Sequence, residues 1–442
     1  MVATPVSQEL ERFYGLPSCD RRDIVLRATA EQHRYHFERN AAYRETLSAR
    51  GVGPDLPDDL ALLLRPAALT FKSYAERIGL FPQDEPAAFM PWLAGQLSVP
   101  LARERWRLFH RRYGTLEAFL RDIERIYSDL GLEIVTSTGT SGRASIVVRN
   151  AATVALATEA VFTAIRVCWG VQRGMALVFM MPEETRVAMA RTARFGTRYL
   201  DWKPVYYTVP FPATPDRLRI RAGRSFRPGL AGLWERRLLH PFMSRAEERL
   251  AKPRYLARTL ACLRECVAGG RRLMLLGGPA QLHGLARVGA IRLPTGSRVA
   301  TGGGLKESYA HTMADIRADL RAAFGDVAVS DVYGMAEANW AAFECEHGNY
   351  HLPPWLHAVV TDDDDRILGG PEATGLLAFF DPIGGGALIP PFFQTADRAR
   401  LVNGGAYDGP PLACPCGSEG AFIRGAIQRV DLLEEAGCAA QV

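Results

Sequence analysis

Residues 136–145 read TSTGTSGRAS, six Ser or Thr and two Gly set between the apolar runs LEIV and IVV. Glycine lets a backbone approach a ligand closely and turn through positive φ. Hydroxyls and exposed N–H groups donate to phosphate oxygens. The stretch therefore suits a polyphosphate, and its alternative reading is a solvated turn. No G-K-[ST] closes it, so it is not a Walker A loop, and no G-x-G-x-x-G stands nearby. A second group could hold a metal. Cys345 and His351 lie six apart in CEHGNYH, and Cys414 and Cys416 lie in CPCG some sixty residues on. Three thiolates and an imidazole suit tetrahedral Zn2+, in a structural role because four protein ligands leave no open position. His347 competes as a ligand, and unrelated buried Cys with a surface His is the alternative.

These residues need elements to position them. Residues 8–50 read as helical up to Gly51, and 56–130 as further helices between Pro turns. From Leu132 short β-rich runs alternate with helical ones: TVALATEAVFTAIRVCWG as helix, MALVFMMP as strand. RRLMLLGGP then AQLHGLARVG, and VAVSDVYG then MAEANW, repeat the strand-then-helix order. Residues 204–230, rich in Pro and Arg, read as an irregular insertion. After about residue 355 short strands and turns dominate, with DDDD at 362–365 as a solvated turn. The alternation argues an α/β fold. Three regions are expected: a helical part over 1–130, an α/β core over 131–355 and a small β subdomain over 356–442. In open α/β sheets ligands bind beyond the carboxyl ends of strands. The loop at 136–142, TGGG after SRVA and YGMAE after VAVSDV all fall there.

The chain has 442 residues, 48% apolar and 23% charged, with net charge +5. Its only Lys are Lys72, Lys203, Lys252 and Lys306. Arg-rich runs such as RLRIRAGRSFRPG could meet an acidic partner, although the mild net charge argues against nucleic acid. No eighteen-residue apolar run and no apolar leader are visible, so neither a membrane span nor a membrane partner is expected. Eight Cys in this length do not make a disulfide scaffold, which fits a cytoplasmic protein with reduced thiols.

In order and spacing, STGTSG, TGGG, YGMAE and QTAD resemble the phosphate loop, adenine-side loop, Y-G-x-x-E and T-x-D motifs of the adenylate-forming (ANL) superfamily. Within it, HRYHFERNAAYRETLSARG, LTFKSY, TGGGLK, YGMAEANW, HLPPW, CPCG and the terminal GCAA are similar to the LuxE-type acyl-protein synthetases, relatives of phenylacetate–CoA ligases. The resemblance spans essentially the whole chain. It implies an α/β adenylating domain with a small β subdomain; in a departure from most of the superfamily, a C-terminal lid domain is not expected, because the hinge-like RGAIQRVD stands almost at the end. It also implies attack of a carboxylate on the α-phosphate of ATP, giving acyl-AMP, then capture of the acyl group by a thiol. Some phenylacetate–CoA ligase relatives pair similar C-x5-H and C-x-C spacings with zinc.

The resemblance also implies roles. Ser137, Thr138, Gly139, Thr140, Ser141 and Gly142 would grip the β- and γ-phosphates. Gly302, Gly303, Gly304, Tyr333 and Gly334 would line the adenine. Glu337 would hold Mg2+, which prefers carboxylate oxygen, and Asp397 would accept from both ribose hydroxyls. Arg429 in the hinge-like RGAIQRVD resembles the superfamily's hinge Arg-x-Asp and would be catalytic, with Arg424 its rival. Cys438 in GCAA would take the acyl group as a thioester. Arg143 stands where the family's phosphate loop closes with Pro-Lys, and no Lys follows Lys306. Glu337 at a helix N-terminus and Asp397 as a cap or turn residue are the structural alternatives. Trp340 reads as core, with His311 the other candidate on the acid side. The expected substrate is a carboxylic acid, fatty or aryl, and the expected acceptor a reductase or carrier protein. Transfer to CoA or an amine, and a catalytically silent scaffold, are the competing readings.

Overall fold

The computed structural model describes residues 10–137, 143–197, 200–305, 309–382 and 386–430. Among the described residues, fourteen strands form one sheet. From one edge its order is Ile367–Leu368, His357–Thr361, Glu372–Phe380, Phe392–Val402, Phe422–Arg424, Asn349–His351, Ala341–Glu344, Ala328–Gly334, Arg298–Gly302, Leu273–Gly277, Ala176–Phe179 and Val205–Tyr207. Arg65–Pro66 and Gln428–Arg429 both pair with Phe392–Val402. The last five strands in that order run parallel, and their crossovers are helical, as parallel pairing requires. At Ala328–Gly334 the pairing becomes antiparallel and stays so along that order to the far edge, while the short Arg65–Pro66 strand joins Phe392–Val402 in parallel. Hydrogen bonding runs across residue 355, because Phe422–Arg424 pairs with both Asn349–His351 and Phe392–Val402.

Leu132–Thr136 and Ile146–Asn150 form a separate antiparallel hairpin with Thr136 opposite Ile146. Its apolar side chains join one core with the helix Leu116–Ile126. That helix buries Leu116, Phe119, Leu120, Ile123 and Ile126, the spacing of a core-facing stripe. Its N-terminus is capped from afar: the Asp216 carboxylate accepts from the N–H groups of Leu116 and Glu117 at 2.9 and 3.0 Å. Asn150 ends the hairpin and caps the next helix, Ala151–Trp169, by accepting from Thr153 N–H at 2.8 Å. Gly170, at φ 63°, ends that helix. By length and composition it could cross a membrane. Here it buries Val154, Ala157, Ala160, Phe162, Ile165 and Trp169 within the protein.

Two expectations about elements need correction. MAEANW is no helix: residues 335–340 turn back so that Ala341 pairs with Gly334. The carbonyls of Ala336 and Ala338, which a helix would give to its own N–H groups, are taken by Arg149 at 3.0 and 2.6 Å. The run 204–230 is not irregular throughout. It contains the strand Val205–Tyr207 and the helix Pro215–Ala222, capped by Thr214 and closed by Gly223 at φ 68°.

Candidate functional site

The carboxyl ends of Arg298–Gly302 and Ala328–Gly334 lie side by side, with Gly302 opposite Val332. Gly303 and Gly304 leave the first strand at φ 86° and 70°. Two successive left-handed residues are inexpensive only for glycine. A Cβ on Gly302 would stand 3.1 Å from the Met189 methyl. TGGG therefore brings bare backbone next to Tyr333 and Gly334.

Tyr333 donates its hydroxyl to Asp397 at 2.8 Å. Burial, then the neighbouring carboxylate, pushes its phenol well above the ordinary value, so it remains a donor. Asp397 is 7% exposed on Phe392–Val402, and its own N–H is held by the Thr395 hydroxyl at 3.1 Å. Directly opposite in register stands Arg429, whose guanidinium lies 3.7 Å from the carboxylate. Residues 333, 397 and 429 thus meet although sixty-four and thirty-two positions separate them. Arg424 turns elsewhere and pairs with Glu372 at 2.6 Å. Asp397 lies inside a strand, so it is neither a cap nor a turn residue.

Glu337 sits on the turn that follows Gly334 and accepts from the Ser145 hydroxyl. Ser145 closes the hairpin loop: its N–H reaches the Ser137 hydroxyl at 2.9 Å, and Ser137 N–H reaches its carbonyl at 3.2 Å. The base of the hydroxyl-rich loop is therefore tied to the Glu337 carboxylate. Thr138, Gly139, Thr140, Ser141 and Gly142 lie outside the described residues, as do Lys306 and Cys438. Beside Glu337 is a cavity of about 10 Å3, lined by Val148, Arg149, Glu337, Asn339, Asp381 and Phe393 among others. That is room for roughly one water.

Sequence reading did not single out Arg149. It is 4% exposed, and burial lowers its guanidinium to about 10, opposed by the Glu337 and Asp381 carboxylates. The group stays charged at neutral pH and holds the turn on which Glu337 is presented. Its signal was faint, an Arg at the end of the apolar strand SIVVRN. A second unread device is Arg186, which donates to Glu117 at 2.7 Å, to Glu124 at 2.8 and 2.9 Å and to Ile134 C=O at 2.9 Å. Its own carbonyl accepts from Thr136 N–H at 2.8 Å. The hairpin is thereby fixed to the Leu116–Ile126 helix.

Trp340 is core, 3% exposed and edge-on to Phe379 at 5.2 Å. His311 packs on His283 and Tyr309 at 4.6 and 5.8 Å. Phe179 and Met180 of VFMMP are fully buried.

Cys345, His351, Cys414 and Cys416 converge, their four candidate ligand atoms all within 4.8 Å of one another. Cys345 Sγ is 3.9 Å from Cys414 Sγ, and Cys416 Sγ is 3.2 Å from His351 Nε2. Tetrahedral ligands about 2.3 Å from one ion would lie about 3.8 Å apart, so small adjustments would suffice. Burial, then contact with Cys414, raises the Cys416 thiol to about 12, and burial raises Cys345. Burial also acts to raise Cys414, but the Cys416 N–H and the Asn349 amide bring it below its usual value. Three crowded thiols cannot all ionise without a cation. His347 is outside the cluster and lies 3.8 Å from Glu346. Cys345 stands four residues along the chain from Ala341, about 14 Å from the Gly334 turn at strand rise. The adjacent Glu344 carboxylate accepts from Asp331 N–H at 2.7 Å and from Arg317 at 2.6 Å, tying the cluster's strand to the Tyr333 strand.

No protein-family model matches the chain, and no curated protein matches it. Solved structures do. A 2-hydroxyisobutyryl-CoA ligase in an open conformation with 2-HIB-AMP and CoA superposes with a TM-score of 0.57 at 16% identity, covering 95% of this chain and 77% of the ligase. The same ligase in its thioesterification state gives 0.56 at 16% identity, over 95% and 70%. In the postadenylation state with 2-HIB-AMP it gives 0.52 at 15% identity, over 95% and 70%. The chain has the adenylate-forming ligase fold. Identity at this level speaks for the fold, and the reaction has to be argued from the residues.

Arg149→Met should leave the Ala336 and Ala338 carbonyls without their donor and the Glu337 turn loose. The expected cost is about 3–6 kcal/mol, from two lost charge-assisted bonds, read as a lower denaturant midpoint. An unchanged midpoint would mean that the turn does not depend on Arg149.

Proposed function

We propose that this protein activates a carboxylic acid as acyl-AMP at the expense of ATP and hands the acyl group to a protein thiol. The observation that carries the reading is the meeting of Tyr333, Asp397 and Arg429 beside the Gly302–Gly303–Gly304 backbone. A buried carboxylate next to bare backbone suits a nucleoside: two ribose hydroxyls can donate to Asp397, and Arg429 brings positive charge to a phosphate. Ser137, with Thr138, Gly139, Thr140, Ser141 and Gly142, would grip the β- and γ-phosphates. Glu337, tied to that loop through Ser145, would hold Mg2+, which would neutralise phosphate charge. The protein's work is then to position the acid and ATP and stabilise developing charge.

The acceptor is the finer part of the proposal. Cys438 in GCAA would attack the acyl-AMP carbonyl as thiolate, releasing AMP and leaving a thioester. A reductase or carrier protein would receive the acyl group next. The named complexes of the 2-hydroxyisobutyryl-CoA ligase contain CoA, which favours a second reading in which CoA is the acceptor. The substrate on the first reading is a fatty or aryl acid of LuxE-type chemistry, and the setting is the cytoplasm. The Cys345, His351, Cys414 and Cys416 cluster we assign to a structural Zn2+: three thiolates with an imidazole match its preference, and the cluster lies away from the nucleotide side.

Asp397→Ala should weaken ATP binding about tenfold or more by calorimetry, the worth of one charge-assisted hydrogen bond. Glu337→Ala should retain ATP but slow single-turnover formation of acyl-AMP. Wild-type behaviour in both variants would remove the nucleotide assignment.

Purified protein should contain about one zinc per chain. Cys414→Ser with Cys416→Ser should lose it and melt at lower temperature, because metal binding energy becomes folding energy. Metal-free wild type with unaltered melting would reject the zinc.

With ATP, Mg2+ and an accepted labelled acid, wild type should gain a hydroxylamine-labile label on the peptide containing Cys438. Cys438→Ser should form acyl-AMP yet carry no thioester. A label that persists in the variant, or transfer to free CoA with no labelled enzyme, would replace the tail thiol with the second reading.

A further inference from the structure

Residues 229–268 form an unbroken helical stretch in which α-helical segments alternate with π-helical turns at Glu235–Leu239 and Glu247–Ala251. Leu230, Trp234, Leu238, Phe242, Ala246 and Leu250 recur along it every fourth residue. Steps of four overshoot an α turn by about 40° and undershoot the wider π turn. Alternating the two keeps the row close to one line, about 30 Å long at helical rise. Its large members stand in solvent: Leu230 is 85% exposed, Phe242 69%, Leu238 60%, Leu250 56% and Trp234 54%. The opposite side is firmly seated. Gly232 and Glu235 are buried, Glu235 accepts from Arg219 at 2.7 and 2.9 Å and from Arg227 N–H at 2.9 Å, and His240 bonds Ile220 C=O at 2.8 Å.

Charge accompanies the row. Residues 217–258 hold twelve Arg and Lys against three Glu, a net +9, whereas the whole chain carries +5. Arg237, Arg245 and Arg249, exposed beside the row, form no ion pair among the described residues. Nothing in the nucleotide site uses any of these groups.

We propose that this helix is an interfacial element that lays its Leu230–Trp234–Leu238–Phe242–Leu250 row into an anionic lipid surface, with the flanking arginines on the headgroups. A row of Leu, Trp and Phe beside arginines is the composition of helices that lie in the plane of a bilayer. Cations next to the surface add attraction to anionic lipid. A fluid acyl boundary accepts side chains that stand at unequal heights along 30 Å, whereas a protein partner would need a pocket matched to each. This is peripheral attachment by one helix face; it involves no span but departs from the sequence-based expectation of no membrane partner. It stands on the surface alone and holds whichever acid or acceptor the enzyme uses.

The test is co-sedimentation of the full chain with vesicles of phosphatidylcholine and phosphatidylglycerol, and with phosphatidylcholine alone. Wild type should pellet with the anionic vesicles and far less with the neutral ones. Leu230→Ser with Trp234→Ser and Phe242→Ser should cut partitioning at least tenfold. Arg237→Glu with Arg245→Glu and Arg249→Glu should do the same, and both variants should melt like wild type. Three results would overturn the proposal. Wild type could remain in the supernatant with anionic vesicles. The serine variant could pellet as wild type does, leaving charge alone responsible. Or wild type could run as a dimer that the serine variant splits, which would give the row to a second copy of the chain.

Discussion

A buried guanidinium organises the candidate site. Arg149 enters from the hairpin, is almost wholly out of solvent, and donates to two carbonyls of the turn that carries Glu337. Desolvating a cation costs several kcal/mol unless hydrogen bonds and opposite charges compensate. Here Ala336, Ala338 and the carboxylates of Glu337 and Asp381 share that task. The compensation fixes geometry. Hairpin and turn cannot separate without leaving that charge without its partners, so Ser145 and Glu337 stay together.

The sheet supplies the other half of the constraint. Its pairing changes from parallel to antiparallel at Ala328–Gly334, and beside it Gly303 and Gly304 have no atom within 4 Å of where a Cβ would stand. Glycines occupy both strand ends, and Phe392–Val402 carries Asp397 in from the antiparallel side. The short pairing of Gln428–Arg429 with that strand then sets Arg429 across from Asp397. The Cys3His cluster joins the two stretches CEHGNYH and CPCG near the strand Phe422–Arg424, which bridges the two parts of the antiparallel sheet. A metal there would clamp the region that holds Asp397 and Arg429 in register without touching either.

The legible parts of the sequence were those whose chemistry is local. A TGGG at a strand end announces close backbone approach, and C-x-C with a distant Cys and His announces convergence, because few other arrangements need those residue types. The alternation of apolar runs with amphipathic ones gave the α/β class for the same reason. What stayed hidden depends on partners far along the chain. Arg149 and Ala338 are 189 residues apart, and Ser145 and Glu337 are 192 apart. MAEANW has helical propensity in Met, Ala and Glu, yet its carbonyls are claimed by a side chain from another element, so tertiary bonding overrode local preference. The apolar row at 230–250 was likewise obscured. Its period of four drifts round a plain α-helix by about 40° a step, and it becomes a line on this helix only once the π turns are present.

The central functional claim is that these residues, on this fold, adenylate a carboxylic acid. The most direct measurement is incorporation of labelled pyrophosphate into ATP by wild-type protein with Mg2+ and a panel of aliphatic and aryl carboxylic acids. The account predicts exchange that depends on the acid and is strong for at least one member of the panel. Pyrophosphate exchange that never rises above the acid-free level, in folded protein with its metal content intact, would contradict it.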